Sequence, residues 1–319
     1  MEQVIKLSLG GLQLYLARRA YMRSLYRLLP KRRFVEMSLL GETVEIDRQD
    51  LEQVYLEADC VREPENIFIY RSLAKSGLCK AYVDVGANYG HVASKVFEYF
   101  EKVILVDANP NAAGFLRKMF TKKTHVKIVN CALVENEDVK KVTLMVSQTS
   151  SGLAHISESS GAFRRVDEQA FECSATTLSK LIESEQIKSA YVKIDVEGFE
   201  SSVIRGGGRL LQNDRFIVGF EALSKEVAVE CCAHFTDHTF YFGRLDFLEP
   251  SGALTRSAAG ILKSLFGCSG IVIYKAKSIA EVPLSNFSQI VAVHDSRVVE
   301  FEDALQREHN VSKGRIELH

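Results

Sequence analysis

Residues 81–90, AYVDVGANYG, decide the fold of this 319-residue chain. A short apolar strand ends there in a turn with glycine at positions 86 and 90. Further apolar strands alternate with helical segments along the chain. These strands are VILVDA (103–108), HVKIVNCAL (125–133), YVKID (191–195) and FIVGFEA (216–222). The alternation predicts an α/β fold, in which helices cover both faces of a parallel sheet.

Polar residues follow most of these strands. In an open parallel sheet a ligand binds at the carboxyl ends of the strands, so the residues just after each strand are the candidate site. They are Asp84 to Gly90, Asp107 to Asn109, Asn130 to Ala132, Asp195 to Glu200, and Glu221.

The first turn discriminates between two nucleoside cofactors. Asp107, which lies 17 residues after Gly90, suits the ribose diol of either a dinucleotide or S-adenosylmethionine (SAM). A dinucleotide turn reads G-x-G-x-x-G, but Asn88 replaces the middle glycine here. Asp84 would repel a pyrophosphate by about 1–4 kcal/mol per charge pair, whereas it would attract the sulfonium and ammonium of SAM. The turn therefore favours SAM, although Asp84 could instead only cap the turn.

Six segments resemble the FkbM-type SAM-dependent methyltransferase family. They are VDVGANYGHVA (83–93), VILVDANP (103–110), VNCAL (129–133), TTLSKLI (176–182), YVKIDVEGFESSVIRGG (191–207) and FIVGFEA (216–222). The resemblance implies a Rossmann-like class I methyltransferase fold with a mostly parallel, seven-stranded sheet. It also implies O-methylation of a sugar, a glycan or a secondary metabolite. Two positions depart from the family pattern: Asp107-Ala108-Asn109-Pro110 replaces Glu-Pro-Asn-Pro, and Ser179 replaces an aspartate.

The ends of the first three predicted parallel strands are assigned to the three parts of the cofactor. We expect the first turn to bind the methionine end of SAM, the second strand end to bind the ribose, and the third to line the adenine. The predicted SAM-binding residues are Asp84, Gly86, Asn88, Gly90, Asp107, Ala108, Asn130, Cys131 and Ala132.

Carboxylates after YVKID are the candidate catalytic groups. A hydroxyl acceptor needs a base, and crowded carboxylates have raised pKa values that suit one. We predict that Asp195 or Glu197 accepts the proton; the alternative is that Glu197 and Glu200 only charge a helix N-terminus. Asp195 and Glu221 could hold a divalent cation, but we expect no metal. The predicted acceptor-binding residues are Glu200, Glu221 and His155.

Charge is unevenly distributed along the chain. Residues 1–33 contain eight bases and one acid, whereas the formal net charge of the whole chain is −1. We therefore expect no nucleic-acid partner. The apolar spacing in residues 1–33 predicts an amphipathic helix that packs on its own domain or, alternatively, contacts a membrane surface or an acidic partner. Seven scattered cysteines and the lack of a 20-residue apolar run suggest a cytoplasmic protein.

The predicted organisation has three parts. Residues 1–78 form a basic helix and a small accessory region, residues 79–280 form the methyltransferase domain, and residues 281–319 form a polar tail with a short helix. Residues 148–171 show little periodicity. Two other functions remain open from sequence: a nicotinamide-dependent oxidoreductase and a non-catalytic adaptor that docks through the basic helix. The oligomeric state is also left open.

Overall fold

Strands dominate the computed structural model, which describes residues 2–8, 32–58, 63–147, 150–156, 168–222, 224–247, 268–281 and 288–312. The strands are β1 (Glu2–Ser8), β2 (Phe34–Leu39), β3 (Glu42–Asp47), β4 (Ala81–Val85), β5 (Lys102–Val106), β6 (Val126–Val129), β7 (Ala132–Leu133), β8 (Lys141–Ser147), β9 (His155–Ile156), β10 (Glu168–Thr176), β11 (Ala190–Ile194), β12 (Phe216–Ala222), β13 (His238–Phe247), β14 (Cys268–Ala276) and β15 (Ser288–His294). The helices are α1 (Leu51–Glu57), α2 (Pro64–Lys75), α3 (Ala93–Val96), α4 (Pro110–Met119), α5 (Leu178–Ser184), α6 (Glu200–Gly207), α7 (Lys225–Cys232) and α8 (Val298–Val311).

The central sheet has nine strands in the order β1-β14-β13-β15-β12-β11-β4-β5-β6. The five strands from β12 to β6 are parallel, and the remaining neighbours pair antiparallel. The α/β class is therefore confirmed, but the sheet is larger and more mixed than the mostly parallel seven-stranded sheet that was predicted.

The parallel strands form because their residues are apolar on both faces. All five residues of β4 and of β11 are buried. Tyr82 and Tyr191 belong to a core that includes residues of α2 and α8, whereas Val83 and Val192 belong to a core that includes residues of α5, α6 and α7. Burial on both sides is typical of parallel strands between helical layers.

The N-terminus is a strand where the sequence predicted a helical extension. β1 pairs antiparallel with β14 at the edge of the central sheet. Ile5 and Leu7 are buried, whereas Lys6 between them is exposed, so the local period is two rather than 3.6. Residues 9–31, which contain five of the eight bases of the predicted helix, lie outside the described residues. No helix within the described ranges is both long enough and apolar enough to cross a bilayer.

The predicted polar tail contributes a strand to the interior of the sheet. β15 lies between β12 and β13 and pairs antiparallel with both. Its residues Ile290 to Val293 are buried, which explains the apolar run at this position. α8, which was predicted at residues 298–309, follows it and packs against α2, with Lys75 Nζ 2.8 Å from Glu308 Oε1.

A second, four-stranded sheet has the order β7-β10-β8-β9. β10 pairs antiparallel with β8 from Glu168 to Ser174. Residues 148–171 show little periodicity in sequence, so this strand was not predicted: exposed residues interrupt the alternation in β10, and the partner strand supplies the pairing. Residues 157–167 lie outside the described part of the chain.

Candidate functional site

The glycine turn after β4 brings the first strand into contact with the neighbouring β11. Gly86 has φ +85°, and a Cβ there would lie 1.8 Å from the carbonyl oxygen of Asp195. Only glycine permits this approach. Asn88 has φ +48°. Gly90 has φ +79° and packs against Leu116 of α4 rather than facing the site.

A cavity of about 650 Å³ opens at the carboxyl ends of the parallel strands. This position is the one expected for a ligand in an α/β sheet. Eleven of the fourteen predicted site residues line it. They are Asp84, Gly86, Asn88, Asp107, Ala108, Cys131, Ala132, His155, Asp195, Glu197 and Glu221. The other three, Gly90, Asn130 and Glu200, do not.

Asp84 is a buried carboxylate with one unsatisfied oxygen. Its side chain accepts a hydrogen bond from Tyr82 Oη through Oδ2, at 3.1 Å. Oδ1 has no hydrogen-bond partner among the described residues, and its nearest cation is Lys193 Nζ at 3.7 Å. Burial raises the pKa of Asp84 to about 6, against the opposing effect of Lys193. A buried acceptor without a donor is costly, so a ligand donor in the cavity would stabilise it.

Asp107 closes the next strand and holds the loop around the cavity. Its Oδ2 accepts from Asn88 N at 2.7 Å, and its Oδ1 accepts from Asn109 N at 2.8 Å. Each oxygen keeps a second lone pair for another donor. Burial raises the pKa of Asp107 to about 6. Asn130 does not face the cavity; its Nδ2 donates to the carbonyl oxygens of Asp107 and Ala108, so it holds the loop from behind.

The residues after β6 supply a neutral surface. Cys131 and Ala132 line the cavity together with Ile156 of β9. Burial raises the pKa of the Cys131 thiol to about 11, so the thiol is uncharged near neutral pH. A neutral thiol is a poor nucleophile, which agrees with the interpretation of Cys131 as a lining residue.

The opposite end of the cavity is acidic. One carboxylate oxygen from each of Asp195, Glu197 and Glu221 lies within 4.8 Å of the others, close enough to share a cation. Lys193 Nζ already supplies a positive charge at 2.8 Å from Asp195 Oδ2. Burial, followed by the neighbouring Asp195, raises the pKa of Glu221 well above its usual range. Glu221 therefore keeps its proton near neutral pH and hydrogen-bonds Asp195.

Glu200 was predicted to contact the acceptor, but it is fully buried behind the turn. Its Oε1 accepts from Val196 N and Gly198 N, both at 3.1 Å. Glu197 has φ +52° and α6 begins at Glu200, so of the two glutamates only Glu200 lies in the first turn of the helix. Glu200 therefore stabilises the turn that presents Glu197. Ser179 replaces an aspartate of the family pattern. Its hydroxyl donates to the carbonyl oxygen of Gly206, and the residue lies outside the cavity.

Several residues that line the cavity were not predicted from the sequence. Lys193 is 3% exposed, and a lysine inside an apolar strand was the available signal that it has a buried charged partner. Glu63 enters the cavity from the start of α2, with φ +53°. Glu52 of α1 and His91 also line it, with His91 Nε2 2.9 Å from the Glu52 carbonyl oxygen. Glu52 and Glu63 lie far along the chain from the strand ends, which left no sequence signal for them, whereas His91 directly follows the glycine turn in the segment 83–93.

The chain is similar to one protein family and, at low sequence identity, to solved methyltransferase structures. The family model described as the methyltransferase FkbM domain matches residues 84–249. No curated protein matches the chain. A methyltransferase FkbM structure from Methylobacillus flagellatus KT is similar with a TM-score of 0.32 and 14% identity, and the alignment covers 81% of this chain and 59% of that one.

Two further solved structures contain a bound nucleoside. An O-methyltransferase from Bacillus cereus in complex with SAH has a TM-score of 0.37 and 10% identity, covering 81% of this chain and 97% of that one. The O-methyltransferase TomG from Streptomyces achromogenes, in complex with SAM, has a TM-score of 0.37 and 7% identity, covering 80% and 94%. These similarities are too low to support a substrate, so the assignment depends on the family model.

The family model covers just over half of the 319 residues, from the carboxylate of the first turn to the end of β13. This range contains the whole parallel part of the sheet after Val83 and every predicted site residue. The predicted resemblance is therefore confirmed, and the chain belongs to the FkbM methyltransferase domain family.

Proposed function

We propose that this protein is a SAM-dependent O-methyltransferase that acts on a hydroxyl group of a sugar, a glycan or a secondary metabolite. The observation that carries the proposal is Asp84, a buried residue at the cavity wall whose carboxylate oxygen Oδ1 has no hydrogen-bond donor among the described residues. An ammonium group supplies the missing donor in a charge-assisted hydrogen bond, in addition to the charge of Lys193.

The donor half of the cavity fits SAM in three places. Asp84 attracts the cationic methionine end. Asp107 has a free lone pair on each oxygen and accepts from the two ribose hydroxyls. Cys131 and Ala132 offer the apolar surface that an adenine ring needs. None of these side chains places a positive charge where a pyrophosphate would bind, so the site supports SAM over the nicotinamide cofactor that the sequence left open.

The acceptor half supplies a base and hydrogen-bonding groups. Bound SAM supplies a methyl group activated by its sulfonium. Asp195 accepts the proton of the attacking hydroxyl, because the ion pair with Lys193 favours the ionised form of its carboxylate. Glu197 lies beside it on the turn. Glu221 retains its proton and hydrogen-bonds a neighbouring hydroxyl of the acceptor.

The chemistry of the walls supports a polyhydroxylated acceptor. Four carboxyl groups, Glu63, Asp195, Glu197 and Glu221, line this end of the cavity. An ionised carboxylate only accepts hydrogen bonds, so the ionised members of this set match hydroxyl donors, whereas protonated Glu221 donates one hydrogen bond and accepts through its other oxygen. His155 lies on the short strand β9, also at the wall, and can donate or accept there.

Calorimetric titration with SAM, followed by a transfer assay with labelled SAM and a crude glycan mixture, tests the proposal. Asp84→Ala should weaken SAM binding by about 30-fold or more, since losing one partner of a buried charge pair costs about 2 kcal/mol or more. Asp138→Ala is the control, because Asp138 is an exposed carboxylate outside the cavity. Asp195→Asn should keep SAM binding near neutral pH but slow methyl transfer by about 10²–10⁴-fold. Unchanged SAM affinity in Asp84→Ala, or unchanged transfer in Asp195→Asn, would refute these assignments.

A further inference from the structure

Lys193 is a buried lysine that the methyl-transfer chemistry above does not require as a reacting group. It lies on β11, and its Cα is the register partner of Asp84 on the adjacent strand β4. Its Nζ donates to Asp195 Oδ2 at 2.8 Å and lies 3.7 Å from Asp84 Oδ1. One ammonium group therefore lies between the carboxylate assigned to the donor and the carboxylate assigned to the acceptor.

Both charged side chains of this arrangement, Lys193 and Asp84, are buried. The Lys193 side chain is 4% exposed and that of Asp84 is 2% exposed. An isolated buried charge is strongly unfavourable, and removing one member of a buried ion pair leaves the other uncompensated. Lys193 compensates two carboxylates at once. Any change in the charge of one carboxylate therefore changes the interaction that Lys193 makes with the other.

We propose that Lys193 is a positioning residue that couples the two halves of the cavity: it fixes Asp195 Oδ2 and shares its charge with Asp84, so the charge on Asp195 influences how strongly Asp84 binds a cationic donor. The inference rests on the proposed function, because it takes Asp84 as the donor carboxylate and Asp195 as the acceptor base.

The direction of the effect follows from the groups around Asp84. Among the described residues, the other titratable groups that interact with Asp84, Lys193 or Asp195 are Tyr82 of β4, Tyr191 of β11, Glu63 before α2, Asp107 after β5, Glu197 before α6, Glu200 of α6 and Glu221 of β12. Apart from Lys193, all of them are acids. Removing the Lys193 charge therefore shifts protonation of Asp84 to higher pH, and removing the Asp195 charge shifts it to lower pH.

The experiment is calorimetric titration with S-adenosylhomocysteine, which keeps the ammonium group of SAM, from about pH 5 to about pH 8.5. Wild-type affinity should rise as the pH increases through about 6, where Asp84 loses its proton. In Lys193→Met the midpoint should rise by about 1–2 pH units, which lowers affinity at neutral pH by about 2- to 10-fold and restores it toward the alkaline end. Lys193→Arg, which keeps the charge, should restore the midpoint.

A second variant tests the coupling without removing the lysine. Asp195→Asn should move the midpoint below the wild-type value, although residue 195 belongs to the acceptor half. Lys102→Met is the control, because Lys102 pairs with Glu185 at the opposite end of β5 and does not line the cavity. Circular dichroism melts show whether each variant is folded.

The outcomes separate the two proposals. If the wild-type protein binds neither SAM nor its product, the proposed function fails and this inference fails with it. If the wild type binds and the midpoint is unchanged in both Lys193→Met and Asp195→Asn, only the coupling is overturned. A uniform loss of affinity at every pH in a folded Lys193→Met variant also overturns it, because that result indicates a purely structural lysine.

Discussion

Gly86→Ala is the substitution whose effect the structure defines most directly. The residue has φ +85°, where an L-residue is strained by about 1–3 kcal/mol. The added Cβ would lie 1.8 Å from the carbonyl oxygen of Asp195 and 2.8 Å from its carbonyl carbon. Both atoms belong to the backbone, so no side-chain rotation relieves the overlap.

The loss of stability follows from the backbone movement that the added Cβ requires. An ordinary contact begins near 3.4 Å, so β4 and the end of β11 must separate by about 1.6 Å. Overpacking of this kind costs about 1–3 kcal/mol. The movement also strains the hydrogen bond from Asp195 N to Val85 O, 2.9 Å long, which contributes about 0.5–1.5 kcal/mol. We therefore expect Gly86→Ala to lower the free energy of unfolding by about 2.5–7.5 kcal/mol.

Urea denaturation monitored by circular dichroism measures this loss. Gly114→Ala is the matched control, because Gly114 lies inside α4 and a Cβ there meets no atom within 4 Å. That variant should be more stable than wild type by about 0.5–1 kcal/mol, since alanine is the better helix former. If Gly86→Ala unfolds within about 1 kcal/mol of wild type, the close approach of β4 and β11 is not present in solution and the site geometry is incorrect.

Two other substitutions test packing away from the cavity, each by thermal denaturation. Leu7→Ala should destabilise the protein by about 2–5 kcal/mol, because Leu7 is fully buried in β1. Gln3 is exposed on the same strand, so Gln3→Ala should change stability by less than about 0.5 kcal/mol. Equal stability of the two variants would argue against an N-terminal strand. Gly219→Ala places a Cβ 1.8 Å from Tyr191 Oη and should cost about 1–3 kcal/mol. Tyr191→Phe in the same chain should recover part of that loss, and no recovery would contradict the contact.

Local patterns were sufficient to predict the parallel strands and the residues at their ends. β4 and β11 are short and apolar apart from one charged residue each, Asp84 and Lys193, which is typical of strands buried on both faces. The glycine turn follows β4 directly, and parallel strands place their carboxyl ends at one edge. The sequence pattern therefore predicts that Asp84, Asp107 and Asp195 lie near one another at this edge of the sheet.

The same local reasoning assigned some side chains to the wrong surroundings. Glu200 has the spacing of a site residue, but its carboxylate accepts from the backbone of its own turn. Glu197 and Glu200 would share a helix face only if the helix began at residue 197, and the positive φ of Glu197 prevents this. A backbone conformation of this kind depends on the surrounding structure, because it is unfavourable for an isolated residue.

What the sequence determined by itself is the α/β class, the glycine turn after β4 and the family, since each depends on short stretches of neighbouring residues. Only the tertiary structure decided that β1 and β15 join the central sheet, that Glu63 lines the cavity, and that Lys193 lies between two carboxylates. These features require segments far apart in sequence to meet. Their free energy comes from pairing and burial that exist only after the sheet has formed, so no local pattern reports them.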